Sequence, residues 1–137
     1  MTRDVITGRA DEPIEDLRIG MERYRFRHLP IVEDGKLIGL VTRSDLLHAS
    51  STWLSDAAAA RDALIGKQPL GKIMQREVIT MRPDEPLLDA AKVMWEGQLG
   101  CVPVTDDENN LLGIVTTTDF LKLAVQLLGG KIKDPPT

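Results

Sequence analysis

The sequence has a single cysteine, Cys101, in 137 residues, so no disulfide can form within the chain and a cysteine-built metal centre is excluded. Aromatic residues make up only 4% of the chain against a hydrophobic fraction of 42%, so any core must be aliphatic. No uninterrupted apolar run approaches the ~20 residues that a membrane-spanning helix requires. No basic-then-apolar leader opens the sequence, so no secretory signal is read. Excess positive charge is missing too: 17 Lys and Arg against 21 Asp and Glu give a formal charge of −4. That balance offers no global attraction to nucleic acid or to an anionic membrane, although a local basic pocket is still allowed. Membrane spans, disulfide scaffolds, coiled coils and disordered tails are thereby set aside in favour of a cytoplasmic globular protein.

What the sequence does contain is a repeat. MTRDVITGRADEP, beginning at Met1, aligns with MQREVITMRPDEP, beginning at Met74. Val5-Ile6-Thr7 falls on Val78-Ile79-Thr80, and Asp11-Glu12-Pro13 on Asp84-Glu85-Pro86. Met21 matches Met94 and Pro30 matches Pro103. One residue is inserted in the second copy between Asp107 and Asn110, where a turn tolerates it. Thereafter Leu37-Ile38-Gly39-Leu40-Val41-Thr42 matches Leu111-Leu112-Gly113-Ile114-Val115-Thr116, and Asp45 matches Asp119.

Each copy reads as strand, helix, strand, strand, helix. In the first, Val5 to Thr7 is expected as a short strand. Pro13 with Asp11 and Glu12 opens a helix to about Tyr24, and Ile14, Leu17 and Met21 share one of its faces. Leu29 to Val32 and Leu37 to Val41 are expected strands around a turn at Glu33-Asp34-Gly35-Lys36, the latter buried on both sides. A second helix begins near Thr42. Between the copies, residues 55–64 read as an Ala-rich helix with Gly66 as its stop, and Gly129-Gly130 ends the last helix. The expected division is repeat one at 1–52, a helical linker at 53–68, repeat two at 69–126 and a tail at 127–137. A copy of this size is marginal alone. Two copies could pack sheet to sheet about an approximate two-fold axis and create two related clefts. The fold class is α+β, with two βαββα repeats.

Both copies carry an apolar-Gly-apolar-apolar-Thr-x-x-Asp motif where the third strand meets the second helix. It runs from Ile38 to Asp45 in the first and from Leu112 to Asp119 in the second. A carboxylate there can accept two hydrogen bonds from a vicinal diol such as that of a ribose. The Thr hydroxyl and free N–H groups of a helix start can hold phosphate or sugar oxygens, and glycine allows close backbone approach. The same Thr-x-x-Asp can also simply cap its helix, and the two roles are compatible.

The doubled set of motifs resembles a tandem pair of CBS domains, the regulatory arrangement known as a Bateman module. It rests on Val5-Ile6-Thr7 and Val78-Ile79-Thr80, on Leu29-Pro30-Ile31-Val32 and Val102-Pro103-Val104, and on the two Gly-to-Asp motifs, covering roughly residues 1–126. The short lead-in helix usual in the family is visible before the second copy as Leu70-Gly71-Lys72-Ile73-Met74, whereas the first copy begins at Met1 without it, so either the chain is trimmed from something longer or that element is absent. The resemblance implies an adenosine-containing regulatory ligand: AMP, ADP, ATP, S-adenosylmethionine or a dinucleotide. It implies no catalytic residues, no resident cofactor and no metal. Each cleft would combine the first strand of one copy with the Thr-x-x-Asp of the other. One site would use Thr7 with Thr116 and Asp119, and the other Thr80 with Thr42 and Asp45. Arg27 and His28 would face the phosphates, joined by Arg43. The second copy has Gly100, Cys101 and Thr117 in their place, so the cations come from the first. The resemblance further implies a homodimer of modules and an unidentified regulated partner.

Other residues have plainer expected roles. Arg25 suits a helix end, Cys101 a packed strand start, and Trp53 and Trp95 core or interface positions. Asp106-Asp107-Glu108 suits a solvated turn. Two histidines and one cysteine supply no nucleophile–base pair, so no enzyme is expected.

Overall fold

A computed structural model of the chain describes residues 3–51 and 66–132. In chain order the elements are α1 (Ile14–Tyr24), β1 (His28–Glu33), β2 (Lys36–Thr42), α2 (Arg43–Ser51), a 3-10 turn (Leu70–Lys72), α3 (Leu87–Gly97), β3 (Cys101–Thr105), β4 (Leu111–Thr116) and α4 (Thr117–Leu127). The α+β class and the repeated helix, hairpin, helix order follow the sequence reading. The expected helix at 55–64 lies outside the described residues, as does Trp53. The chain divides into two compact units, one of residues Ile6–Val78 and a second holding the rest.

In the first unit β1 and β2 form an antiparallel hairpin that pairs His28 with Thr42 and Leu29 with Val41, with a bulge between Ile31 and Val32. Its turn needs two left-handed residues, Asp34 at φ 52° and Gly35 at φ 79°, the combination that matches the right-handed twist of a tight hairpin. Helix α1 lays Ile14, Leu17 and Met21 on the hairpin as the spacing predicts. They join Leu29, Ile31, Val41, Leu46, Leu70 and Met74 in one aliphatic core. In the second unit β3 pairs with β4, Cys101 opposite Thr116, and Met81, Ala90, Met94, Val102, Val104 and Val115 form the corresponding core.

The first strand of each copy is shorter than expected. Residues 5–7 form no ladder; only Gly8 bridges to Ile31 in parallel, donating to the Pro30 carbonyl at 3.0 Å and accepting from Val32 N–H at 3.0 Å. Met81 does the same in the second copy, between Pro103 and Thr105. The cause lies in the prolines. Extending either parallel ladder by one step would require an N–H from Pro30 or Pro103, and neither residue has one.

The lead-in to the second copy packs into the first unit. Leu70 N–H donates to the Glu12 carbonyl at 2.9 Å, and Gly71 N–H to that of Ala10 at 2.9 Å. Ile14 N–H, an orphan donor of the α1 start, is satisfied by the Gln68 carbonyl at 2.9 Å. Further on, Leu40 and Gln75 exchange both backbone hydrogen bonds, at 2.9 and 2.8 Å, which adds Gln75 to the free edge of β2.

Candidate functional site

The strand-to-helix junction of each copy is built by its Thr-x-x-Asp. In the first, Asp45 Oδ2 accepts Thr42 N–H at 2.8 Å and the Thr42 hydroxyl at 3.0 Å, while Asp45 N–H donates to Thr42 Oγ1 at 3.2 Å. In the second, Asp119 Oδ2 accepts Thr116 N–H at 2.8 Å and the Thr116 hydroxyl at 3.3 Å. Both motifs therefore cap their helices, which fixes each carboxylate by one oxygen and aims the other away from the cap. All four side chains are half-buried.

The two junctions differ beyond this shared frame. The Gln75 amide donates to both Asp45 oxygens at 3.1 Å. Asp119 Oδ1, by contrast, accepts no hydrogen bond from a described residue. Gly39 also has a different purpose from the one expected. A Cβ placed there would lie 2.6 Å from Met74 Sδ and 3.0 Å from the Gln75 carbonyl oxygen. What this glycine admits in the structure is the chain's own lead-in. Gln75 carries no family motif, and its role became visible only when its backbone was placed beside Leu40.

The expected phosphate-facing residues gather at one end of the first unit. Arg43 N–H donates to the Arg27 carbonyl at 2.8 Å, and His28 pairs with Thr42 across the hairpin. Arg27 and Arg43 line a groove of about 460 Å³ between α1 and α2, with Arg18 and Arg25 also on its wall and Met21 and Leu46 on its floor. Asp45 does not line this groove. Glu22 also lines this groove, so its wall carries one carboxylate beside the four guanidinium groups, and among the described residues Arg25, Arg27 and Arg43 form no ion pair. Arg25 ends α1 in the left-handed conformation at φ 54°, as Gln98 ends α3 at φ 53°.

His28 needs a correction as a source of charge. Burial, and then the neighbouring Arg27 charge, push its imidazole below its ordinary value of 6.5. At neutral pH it is an uncharged hydrogen-bonding group, and the positive charge of this end rests on the arginines. Thr7 and Thr80 are exposed, each directly preceding the residue that bridges to its hairpin. Thr7 belongs to the first unit with Asp45; Thr80 belongs to the second with Thr116 and Asp119.

The remaining expectations resolve simply. Cys101 is buried at the start of β3, and desolvation pushes its thiol up to about 12, so it packs as a small apolar group. Trp95 is 78% exposed and is no part of the core. Asp106 braces the longer second hairpin by accepting from the N–H groups of Glu108 and Asn110, both at 2.9 Å. No helix among the described residues is long and apolar enough to cross a membrane.

A repeated helix–hairpin–helix unit whose second helix opens on a capped Thr-x-x-Asp is shared with a family of small paired domains. The CBS domain family matches residues 1–52 and 70–126, and the chain belongs to that family. The chain is 33% identical over 124 residues to the uncharacterized protein MJ1225 of Methanocaldococcus jannaschii, covering 89% of this chain and 44% of the relative. It is 31% identical over 120 residues to the CBS domain-containing protein YhcV of Bacillus subtilis, covering 88% of this chain and 79% of the relative. Among solved structures, the CBS domain pair of protein MJ0100, in complex with 5′-methylthioadenosine and S-adenosyl-L-methionine, superposes with a TM-score of 0.76 at 30% identity, covering 93% of each chain. The chain spans less than half the length of several curated relatives it matches, down to 23%.

Proposed function

We propose that this CBS pair is a non-catalytic regulatory module that binds an adenosine-containing nucleotide and reports metabolic or energy status to a partner protein. The observation that carries the reading is the repeated Thr-x-x-Asp, whose carboxylate is held by Thr on one oxygen in each copy, together with the arginines that line a groove of the first unit. A carboxylate of that kind suits a ribose diol, and guanidinium groups suit phosphates. The complex of the MJ0100 pair with two adenosine derivatives supports the ligand class. In this reading the ribose contacts fall to Asp45 and Asp119 with Thr42 and Thr116, the base lies near Thr80 or Thr7, and the phosphates lie toward Arg27, His28 and Arg43. The module works in the cytoplasm, where such nucleotides are found.

The reading includes a homodimer. Helix α4 buries no residue fully, and it leaves Leu121 67% and Leu127 78% exposed on one short element. Exposed apolar side chains on this helix favour a protein partner, and a second copy is the simplest one. Leu121→Glu with Leu127→Glu would then shift the mass in solution from dimer to monomer.

A second reading has its own support: both Thr-x-x-Asp motifs close helix caps, and one is further tied by Gln75. On that reading the chain is a ligand-free dimerisation scaffold. Calorimetric titration with AMP, ADP, ATP, S-adenosylmethionine and adenosine separates the two. Saturable binding by any of them supports the nucleotide module, and no binding by all of them leaves the scaffold.

A further inference from the structure

We propose that Gln75 is a resident occupant of the Asp45 carboxylate and sets the order in which the two carboxylates take a diol, Asp119 first and Asp45 only after the amide is displaced. The proposal rests on the reading that these carboxylates receive a ribose. It follows from three observations within residues 6–78 and one in the second copy.

The first is stoichiometric. A carboxylate offers about four acceptor positions on two oxygens. Asp45 Oδ2 already takes the N–H and hydroxyl of Thr42, and the Gln75 amide reaches both Oδ2 and Oδ1 at 3.1 Å. The second is chemical. A single amide nitrogen equidistant from both oxygens shares an N–H between them, so Gln75 covers the side of the carboxylate that the two hydroxyls of a diol would need.

The third is the tether. Gln75 and Leu40 exchange both main-chain hydrogen bonds at 2.8 and 2.9 Å, and the neighbouring Gly39 leaves room for that approach. The backbone therefore holds the amide close to Asp45 continuously, and only the side chain has to order. A ligand meeting such an occupant binds with its affinity reduced by the fraction of time the carboxylate is covered. The side chain is exposed and free to swing aside, so the occupant is displaceable.

In the second copy the Thr116–Asp119 frame is the same, yet Asp119 Oδ1 accepts nothing from a described residue. The repeat places Thr2 at the sequence position of Gln75, and a threonine side chain is shorter and carries one donor hydrogen. The two copies therefore differ in residue type at this position.

The test is calorimetry with adenosine, which lacks phosphates and so removes the arginines from the comparison. In the full chain carrying Asp119→Ala, adding Gln75→Met keeps the length and removes both donors. The expected result is adenosine affinity rising roughly tenfold, the worth of one hydrogen bond to a charged group. Adding Asp45→Ala to that pair should abolish the gain. In the Asp119→Ala chain, the Gln75 side-chain amide signals in a nitrogen–proton NMR spectrum should shift when adenosine is added. Affinity that stays level or falls in the Gln75→Met chain, while still depending on Asp45, overturns the proposal and makes Gln75 a structural tie. Failure of the ribose reading looks different: adenosine then binds no form of the chain, or binds equally well without either carboxylate, and the proposal falls with it.

Discussion

The carbonyl oxygen of Gln75 lies 3.0 Å from the point where a side chain on Gly39 would begin, with Met74 Sδ closer still at 2.6 Å. The glycine of this motif is therefore a packing requirement of the first unit, whatever the ligand. Gly39→Ala should lower stability by about 1–3 kcal/mol, the usual cost of forcing extra volume into a packed site. Urea or thermal unfolding checks this, and an unaltered midpoint would mean that the lead-in does not press on β2.

The pH dependence of stability should carry the signature of His28. Its folded value lies below the 6.5 of the unfolded chain, through burial and then Arg27. Between the two values the unfolded state binds more protons, so stability rises with pH across that window and is lost as pH falls through it. His28→Gln should flatten this part of the curve. If a nucleotide phosphate faces the imidazole, ATP affinity should also climb as pH falls toward the depressed value of the free folded His28, because the phosphate favours the charged ring. Equal slopes for the wild type and His28→Gln would remove this histidine from both roles.

Cys101 should resist alkylation in the native chain. Burial pushes its thiol up to about 12, so almost no thiolate exists at pH 8, and the side chain is itself covered. Iodoacetamide should label it only at the rate of unfolding, and denaturant should make labelling complete. Rapid labelling of the folded protein would show that β3 opens locally.

The arginines should divide nucleotides by their phosphates. Arg43→Ala should weaken ATP binding about 10- to 100-fold, the worth of one charge-assisted hydrogen bond, and leave adenosine nearly unchanged. Arg27→Ala should act in the same direction, and ATP affinity should fall as salt rises if these exposed charges carry the term. ATP affinity indifferent to both substitutions would move the phosphates elsewhere.

Much of this was legible in the residues. The periodicity of Ile14, Leu17 and Met21 gave the buried face of α1, and Asp34-Gly35 gave the turn. Thr42 with Asp45 and Thr116 with Asp119 gave the junctions, because capping is a local chemistry with a fixed spacing. What stayed hidden depended on partners distant in sequence. The first strands read as strands from Val5-Ile6-Thr7 and Val78-Ile79-Thr80, but their pairing is decided by the missing N–H of Pro30 and Pro103. His28 read as a cation from its position beside Leu29-Pro30, whereas its protonation is set by burial and by Arg27. Gln75 gave no signal at all, since its contact with Asp45 spans 30 residues and exists only after β2 has received the lead-in.

That lead-in separates the unit of inheritance from the unit of cooperative folding. The second copy is read from residue 69, yet its Leu70 and Met74 complete the core laid down by the copy before. Deleting the second copy at its sequence boundary would take with it part of the interior of the first. Once such a pair has arisen, its members are bound by borrowed parts, and natural shortening to a single copy would have to replace that interior before it could succeed.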